Sequence, residues 1–197
     1  MEKKSPQVIV IAGPNGAGKS TLAPYLLRDA FELLEYVNAD TIAQGLSAFN
    51  PEGVAFEAGR VMIERLHILA EQQRSFAFES TLATRSYASW LSRLKQQGYR
   101  FHLLYLWLRH PELALYRVKE RVQRGGHRVP EEIIRRRYSR GIENFFGLYL
   151  SLADSWAMFD NSDANGPVLV AKGKGGTAMD VREPDIWNEI KRDNYEN

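Results

Sequence analysis

The chain has 197 residues, of which 44% are hydrophobic and 25% are charged, so one sizeable core is expected rather than two independent domains. It contains no cysteine, which excludes disulfides, thiolate catalysis and cysteine-bound zinc, and its formal net charge of +2 does not argue for a nucleic-acid partner. No apolar run approaches the ~20 residues of a membrane span, and no signal peptide is recognisable at the start, so we expect a cytoplasmic protein with no membrane partner.

Predicted strands and helices alternate along the chain. The strands are predicted at Gln7 to Ala12, Leu33 to Asn38, Ser75 to Glu79, Arg100 to Leu108, Ala157 to Phe159 and Val168 to Ala171. The helices are predicted at Lys19 to Ala30, Glu52 to Gln72, Thr84 to Gln97, Pro111 to Arg124 and Pro130 to Ala153, with a short one over Pro184 to Arg192 in a glycine-rich, polar tail. This order predicts an α/β fold with a mostly parallel sheet between two layers of helices, in one domain over residues 1–197. Ligands of such folds bind at the carboxyl ends of the strands.

A phosphate-binding P-loop pattern, G-x-x-x-x-G-K-[ST], lies between the first predicted strand and the first predicted helix. Its glycines let successive backbone N–H groups point at one anion, and the following helix presents its positive end to the same phosphates. Lys19 brings a positive charge to the β- and γ-phosphates, and the Ser20 hydroxyl is the expected ligand of Mg²⁺. The residues that we assign to ATP are Gly13, Pro14, Asn15, Gly16, Ala17, Gly18, Lys19, Ser20 and Thr21.

The rest of the sequence narrows the class of P-loop protein. No Asn-Lys pair occurs, so the guanine-reading motif of GTPases is absent, and the strand Arg100 to Leu108 runs into Arg109 rather than the Asp of a standard Walker B strand. The Leu-Ser-Gly-Gly-Gln signature of transporter ATPases is also absent. These absences favour a small-molecule kinase.

Two carboxylates follow predicted strands on the side where the phosphates would lie. Asp40 can take the proton from an attacking hydroxyl or hold a water of Mg²⁺, although it is also suited to cap a helix over residues 41–44. Glu79 ends an otherwise apolar strand, where an unpaired buried carboxylate would be costly. Binding of a substrate hydroxyl or support of the metal is therefore favoured over a purely structural pairing, and we assign Glu79, with the nearby Thr81, to the substrate that accepts the phosphate.

An arginine-rich segment over about residues 121–140 is predicted to be a lid, hinged at a glycine pair that precedes His127. Helical geometry turns Arg137 toward the protein body and Arg136 toward water, so Arg137 is suited to stabilise charge on the transferring phosphoryl group. Arg128 can swing in as the lid closes. Arg121 and Arg124 are weaker candidates, and His127 is expected to be a surface residue of the lid.

Together these motifs resemble the zeta toxin family of P-loop kinases. The residues that carry the likeness are Gly13 to Thr21, Asn38-Ala39-Asp40, Phe78-Glu79-Ser80-Thr81, Gly125 to Pro130 and Arg135 to Tyr138. The resemblance implies a fold like that of adenylate and shikimate kinases, with Asp40 as general base, Glu79 at the substrate, and Arg128 and Arg137 at the triphosphate. It also implies a sugar hydroxyl of UDP-N-acetylglucosamine as the acceptor and an antitoxin as a protein partner, although no antitoxin segment is evident in this chain.

The sequence thus predicts an ATP- and Mg²⁺-dependent kinase that phosphorylates a hydroxyl of a small molecule. One alternative is an NTP-binding module that hydrolyses slowly and regulates a protein partner. Another is a polynucleotide end kinase, because eleven Arg or Lys lie between Arg100 and Arg140 against four Glu.

Overall fold

The fold, in a computed structural model, is a seven-stranded sheet with helices on both faces, described for residues 5–31 and 35–195. In spatial order the strands are β2-β3-β1-β4-β5-β6-β7. Their bounds are β1 Gln7–Ala12, β2 Tyr36–Val37, β3 Phe76–Ser80, β4 Arg100–Trp107, β5 Ser155–Asp160, β6 Val168–Lys174 and β7 Thr177–Val181. The α-helices are α1 Lys19–Phe31, α2 Ala39–Leu46, α3 Ala55–Glu71, α4 Ser86–Gln96, α5 Pro111–Gln123, α6 Glu131–Asn144, α7 Leu150–Leu152 and α8 Pro184–Tyr195.

The five strands β1 to β5 are parallel, and β6 and β7 are antiparallel additions at one edge. The predicted mostly parallel α/β sheet is therefore confirmed. Strand β1 is central: Val8 and Val10 pack into one apolar cluster, while Ile9 and Ile11 pack into the cluster on the other face. A strand covered by helices on both sides must be apolar on both sides, which is why its sequence reads as one continuous apolar run.

The sequence does not predict strand β7, because the chain after Lys172 has the glycine-rich and then polar composition of a tail. That interpretation is wrong: β6 continues to Lys174, turns at Gly175 with a φ of +51°, and pairs with β7. Gly173 lies against Trp156, whose ring atom Cζ2 would be 2.7 Å from an added Cβ. The glycines of this segment therefore allow a tight hairpin that packs against the ring of Trp156.

Other element boundaries differ from the predicted ones by a few residues. The predicted helix from Pro130 to Ala153 is α6, a π-helical turn over Phe145–Tyr149 and the short α7 in succession. The predicted helix from Glu52 begins as a 3₁₀ turn over Pro51–Val54 that leads into α3. Residues 33 and 34 of the predicted second strand lie outside the described residues, and β2 itself is short.

The parallel register brings the functional motifs to one edge of the sheet. Ala12, the last residue of β1, pairs with Ser80 of β3 on one side and with Tyr105 of β4 on the other. The P-loop that follows β1 therefore lies beside the end of β3, and β2 pairs with the far side of β3. None of the helices in residues 5–31 and 35–195 is long and apolar enough to cross a membrane.

Candidate active site

The P-loop is packed so closely that two of its glycines leave no room for a side chain. An added Cβ on Gly13 would lie 2.2 Å from the carbonyl oxygen of Leu106, and one on Gly16 would lie 2.8 Å from the carbonyl oxygen of Ala114. Both glycines also have positive φ angles, of +137° and +78°. Strand β4 and helix α5 thus fix the shape of the loop, and the open side is left to backbone N–H groups that suit a phosphate.

Lys19 is held above this loop. Its Nζ donates to the carbonyl oxygens of Gly13 and Pro14, both at 2.9 Å. Burial lowers the pKa of Lys19, and the negative charges of Glu79 and Asp40 oppose that shift by raising it. The ammonium group is therefore a partly desolvated cation that gains from a bound anion, which fits a triphosphate.

Asn38 connects the P-loop to the helix that carries Asp40. The Asn38 Oδ1 accepts from the backbone N–H groups of Asp40 and Thr41 at 2.8 and 3.2 Å, so Asn38 is the N-cap of α2. The alternative prediction that Asp40 caps this helix is therefore wrong, and the Asp40 carboxylate takes no part in capping α2. On its other side, the Asn38 Nδ2 donates to the Ser20 Oγ at 3.3 Å.

Tyr36 of β2, which was not among the predicted site residues, contacts Glu79. The hydroxyl of Tyr36 donates to the Glu79 Oε1 and accepts from the Asn38 Nδ2. Burial, together with the nearby Glu79 carboxylate, raises the pKa of Tyr36, so the phenol stays protonated and remains a donor. Alternation along a strand places residues two apart on one face, so Tyr36 could have been identified from its spacing to Asn38.

Arg137 and Arg136 are arranged as the helical geometry predicted. Arg136 is exposed, whereas Arg137 is partly buried and its Nη1 donates to the Oδ1 of Asn15 in the P-loop at 3.4 Å. Burial lowers the pKa of Arg137, and Asp40 raises it. The guanidinium therefore faces the place of the phosphates, although its role in transfer remains a prediction.

Arg128 occupies a different position. Its backbone N–H donates to the Glu52 Oε1 at 2.6 Å, and the residue lines a cavity between α5 and the start of α6 together with Tyr116 and Val129. Arg121, predicted to be a weaker candidate, has its Nη1 3.9 Å from the Asp40 Oδ2. In this structure Arg121 rather than Arg128 is the lid arginine beside Asp40.

His127 is not the lid surface residue that was expected. Its side chain is only 17% exposed, and its Nδ1 lies 3.9 Å from the Asp40 Oδ1. The Nη2 of Arg121 donates to the His127 carbonyl oxygen at 2.9 Å, which holds this residue at the site. The prediction was wrong because the elements that cover His127, α2 and the segment after it, are distant in sequence.

The turn after β5 closes the other side of the P-loop. Asn161 donates through its Nδ2 to the carbonyl oxygen of Ala17 at 2.9 Å. Arg117 of α5 holds that turn, because its guanidinium donates to the carbonyl oxygens of Asn161 and Ser162 at 2.7 and 2.9 Å. Nothing in the sequence alone linked this turn to the site, since the contact spans 144 residues.

The donor set suits a magnesium ion that is shared with phosphates. The Ser20 side chain is exposed, with Asn38 as its hydrogen-bond partner, and Asp40 is half exposed. Within the described part of the chain, no group of three or more His, Cys, Asp or Glu could hold a metal by itself. That arrangement fits Mg²⁺, which commonly takes one or two protein ligands and completes its shell with phosphates and water.

The family model described as zeta toxin matches residues 1–165 of the chain. The chain belongs to the zeta toxin family. Zeta toxin family members are P-loop phosphotransferases that act on hydroxyl groups, so membership places this chain among kinases. An uncharacterized protein of Haemophilus influenzae is 35% identical over 132 residues, which are 67% of this chain and 92% of that protein.

Two solved structures share the fold at low sequence identity. A chain in the AvrRxo1-ORF1:-ORF2 complex with ATP is similar with a TM-score of 0.72 and 17% identity over 94% of this chain. This chain spans only 63% of that one. A chain of the PezAT toxin-antitoxin system of Streptococcus pneumoniae is similar with a TM-score of 0.65 and 15% identity, over 100% of this chain and 81% of that one. Both support the predicted P-loop kinase architecture.

Proposed function

We propose that this protein transfers the γ-phosphoryl group of ATP to a hydroxyl of a small molecule, with Asp40 as the general base. The observation that carries the proposal is the grouping of charges around Lys19. Glu79, Asp40, Arg121 and Arg137 are all close enough to shift its pKa. A site that combines cations for a phosphate with a carboxylate for a hydroxyl proton has both parts that phosphoryl transfer needs.

Each residue has a role that follows from its position. The P-loop backbone and Lys19 hold the β- and γ-phosphates, and Ser20 contributes a hydroxyl to Mg²⁺, which when bound neutralises charge on the phosphate oxygens. Arg137 lies at the P-loop residue Asn15, where it stabilises negative charge on the group in transfer. Asp40, freed from capping by Asn38, accepts the proton of the attacking hydroxyl.

Glu79 and Thr81 are proposed to position the acceptor. The hydrogen bond from Tyr36 fixes one oxygen of Glu79 and leaves the other for a substrate hydroxyl. The family resemblance makes UDP-N-acetylglucosamine the first acceptor to assay, and an antitoxin is the corresponding protein partner to seek. Cytoplasmic ATP is the expected donor.

The test is Asp40→Asn, assayed with labelled ATP and a metabolite extract in which the product is identified. Loss of the base is expected to lower kcat by about 10²–10⁴-fold while the Kd for ATP stays close to that of the wild type. Asp163→Asn is a matched control, because that carboxylate is 70% exposed and pairs only loosely with Arg109, at 3.8 Å. Full turnover of the true acceptor by Asp40→Asn would refute the assignment of the base.

A regulatory module that only binds and hydrolyses ATP predicts a different result in the same assay. No compound of the extract would gain phosphate, and the slow release of phosphate from ATP would not depend on any added metabolite. The two functions are therefore separated by the presence of a phosphorylated product.

A further inference from the structure

Asn38 is an unusual residue of this site because its carboxamide is buried. Only 7% of the residue is exposed, and among the described residues Asn38 and Asp160 are the two buried ones with an amide or carboxylate side chain. Burial of an amide is costly unless its donors and acceptor find partners. The partners of Asn38 therefore show what the buried amide is used for.

Each end of the Asn38 amide contacts a different part of the site. The Oδ1 accepts from the backbone N–H groups of Asp40 and Thr41, which fixes the start of α2 and with it the backbone of the proposed base. The Nδ2 lies 3.3 Å from the Ser20 Oγ and 3.3 Å from the Tyr36 hydroxyl, and it donates to both. One amide thus joins three elements: α2, the start of α1 and β2.

Tyr36 extends this connection to Glu79. A carboxylate only accepts hydrogen bonds, so the single proton of the Tyr36 hydroxyl goes to the Glu79 Oε1, and the hydroxyl oxygen accepts from Asn38. The hydrogen bonds therefore run in one direction, from Asn38 through Tyr36 to Glu79. They hold one oxygen of Glu79 and so set the direction in which the other oxygen points.

The pairing of β2 with β3 sets the spacing of these side chains. Tyr36 pairs with Ala77 in the parallel register. Glu79 is two residues after Ala77, and Asn38 is two residues after Tyr36, so all three polar side chains lie on the same face of the sheet. A strand-built arrangement of this kind is held more precisely than one built on loops.

The Ser20 hydroxyl receives comparable support. It accepts from Asn38 through one lone pair, which leaves its second lone pair for Mg²⁺. Hydrogen-bond partners behind a metal ligand orient that ligand and tune the affinity of the site. Asn38 therefore stands behind Ser20 as Tyr36 stands behind Glu79.

We propose that Asn38 and Tyr36 are positioning residues that couple the Mg²⁺ ligand Ser20 to the acceptor residue Glu79. The inference rests on the proposed kinase function. Tyr36 acts through Glu79, and Asn38 acts through both Ser20 and Tyr36. The donor half and the acceptor half of the site are thus oriented by one buried amide.

Tyr36→Phe removes only the hydroxyl and tests the acceptor side. The KM for the acceptor is expected to rise by about tenfold, as for loss of a partner behind a binding group, with the affinity for ATP unchanged. Tyr116→Phe is the matched control, because the Tyr116 hydroxyl also donates to a carboxylate, the Glu120 Oε1 at 2.9 Å, but does so on the exposed surface of α5. This control should stay within about twofold of the wild type.

Asn38→Ser tests the metal side and keeps the cap, because a serine oxygen also caps helices well. Serine lacks the amide that donates to Ser20 and Tyr36 together. The Mg²⁺ concentration for half-maximal binding of a nonhydrolysable ATP analogue, followed by titration calorimetry, is expected to rise by about tenfold. The Kd of the analogue without Mg²⁺ should not change, and the acceptor KM should rise as in Tyr36→Phe.

Asn50→Ser is the control for this change. Asn50 caps the 3₁₀ turn over Pro51–Val54, and its Oδ1 accepts from the Gly53 N–H at 3.2 Å, so the same substitution is made at another capping position. Neither the Mg²⁺ requirement nor the acceptor KM should move by more than about twofold.

A double variant separates positioning from a general structural role. If Tyr36 acts through Glu79, adding Tyr36→Phe to Glu79→Ala should change the acceptor KM by less than about twofold, because the group that Tyr36 orients is already gone. A full tenfold loss in both backgrounds would show that the two residues act independently and would overturn the inference.

The assays use the full chain with ATP, Mg²⁺ and UDP-N-acetylglucosamine or, if that compound gains no phosphate, the compound of a metabolite extract that does. If Tyr36→Phe and Asn38→Ser leave the acceptor KM and the Mg²⁺ requirement at the wild-type values, the positioning roles are refuted and the kinase function stands. If no compound gains phosphate with the wild-type protein, the kinase function itself fails and the inference falls with it.

Discussion

Two of the glycine-rich segments, the P-loop and the glycine pair of the lid, differ in what surrounds their first glycine. In the P-loop, an added Cβ on Gly13 would strike the backbone of β4, whereas an added Cβ on Gly125 of the lid would meet nothing within 4 Å. Both glycines have positive φ angles, so their backbone preference is similar and their surroundings differ. Packing against β4 fixes the backbone of the P-loop at Gly13. In the lid, the positive φ of Gly125 alone sets the turn at that residue.

The sharpest test of this contrast is a pair of alanine substitutions. Gly13→Ala combines a backbone clash with an unfavourable φ, and we expect a loss of more than about 4 kcal/mol in the free energy of unfolding, with loss of ATP binding. Gly125→Ala carries only the cost of the left-handed conformation, about 1–2 kcal/mol. Chemical denaturation of both variants measures the difference, and equal losses would contradict the comparison.

A second test compares the two neighbouring arginines of α6. Arg137→Ala removes the guanidinium at the P-loop and is expected to lower kcat by about 10²–10³-fold, as for loss of one preorganised group at a developing charge. Arg136→Ala, on the exposed face, should stay within about twofold of the wild type. Steady-state kinetics with a saturating acceptor give both values, and similar effects of the two changes would show that α6 is not oriented toward the phosphates in solution.

The smallest effect of a substitution is expected at Asp154, which contacts the amino end of β4, far from both the P-loop and the lid. Burial alone would raise the pKa of Asp154, but hydrogen bonds from the Phe101 N–H and from Lys95 outweigh it and lower the pKa. Because folding lowers the pKa of Asp154, the charged carboxylate stabilises the folded protein above the unfolded-state pKa of about 4. That stabilisation is lost as the pH falls through the folded-state pKa.

Asp154→Asn should therefore cost up to about 1 kcal/mol at neutral pH, a modest figure because the carboxylate is partly screened by solvent. The difference from wild type should shrink as the solution is acidified, and kinase activity should not change. Thermal unfolding followed across the acidic range measures this. A constant difference at all pH values would assign the effect to packing instead of charge.

The sequence predicted well those parts of the molecule in which neighbours along the chain decide the structure. The apolar run of β1, the glycine pattern after it and the facing of Arg137 each follow from local periodicity, and all three are present. The contacts of His127 and Asn161 depend on which distant segments pack together. Local pattern contains no information on those partners, which is why His127 was assigned to the surface.

Strand β7 illustrates a second limit. Its segment follows two glycines, has only five residues and contains Ala178 and Asp180, which are residue types depleted in strands, so its own propensity for a strand is weak. It forms because β6 offers an unpaired edge and because Trp156 packs on Gly173. Pairing and packing with the rest of the sheet, rather than propensity, decide its structure.

Gly141 fixes the distance between α6 and the end of β3. An added Cβ there would lie 2.4 Å from the carbonyl oxygen of Thr81, so the helix backbone lies directly against the segment that follows β3. Arg137 is about one helical turn before this contact, and its Nη1 reaches Asn15 of the P-loop at 3.4 Å. The absence of a side chain at Gly141 therefore helps to set the position of the Arg137 guanidinium relative to the P-loop.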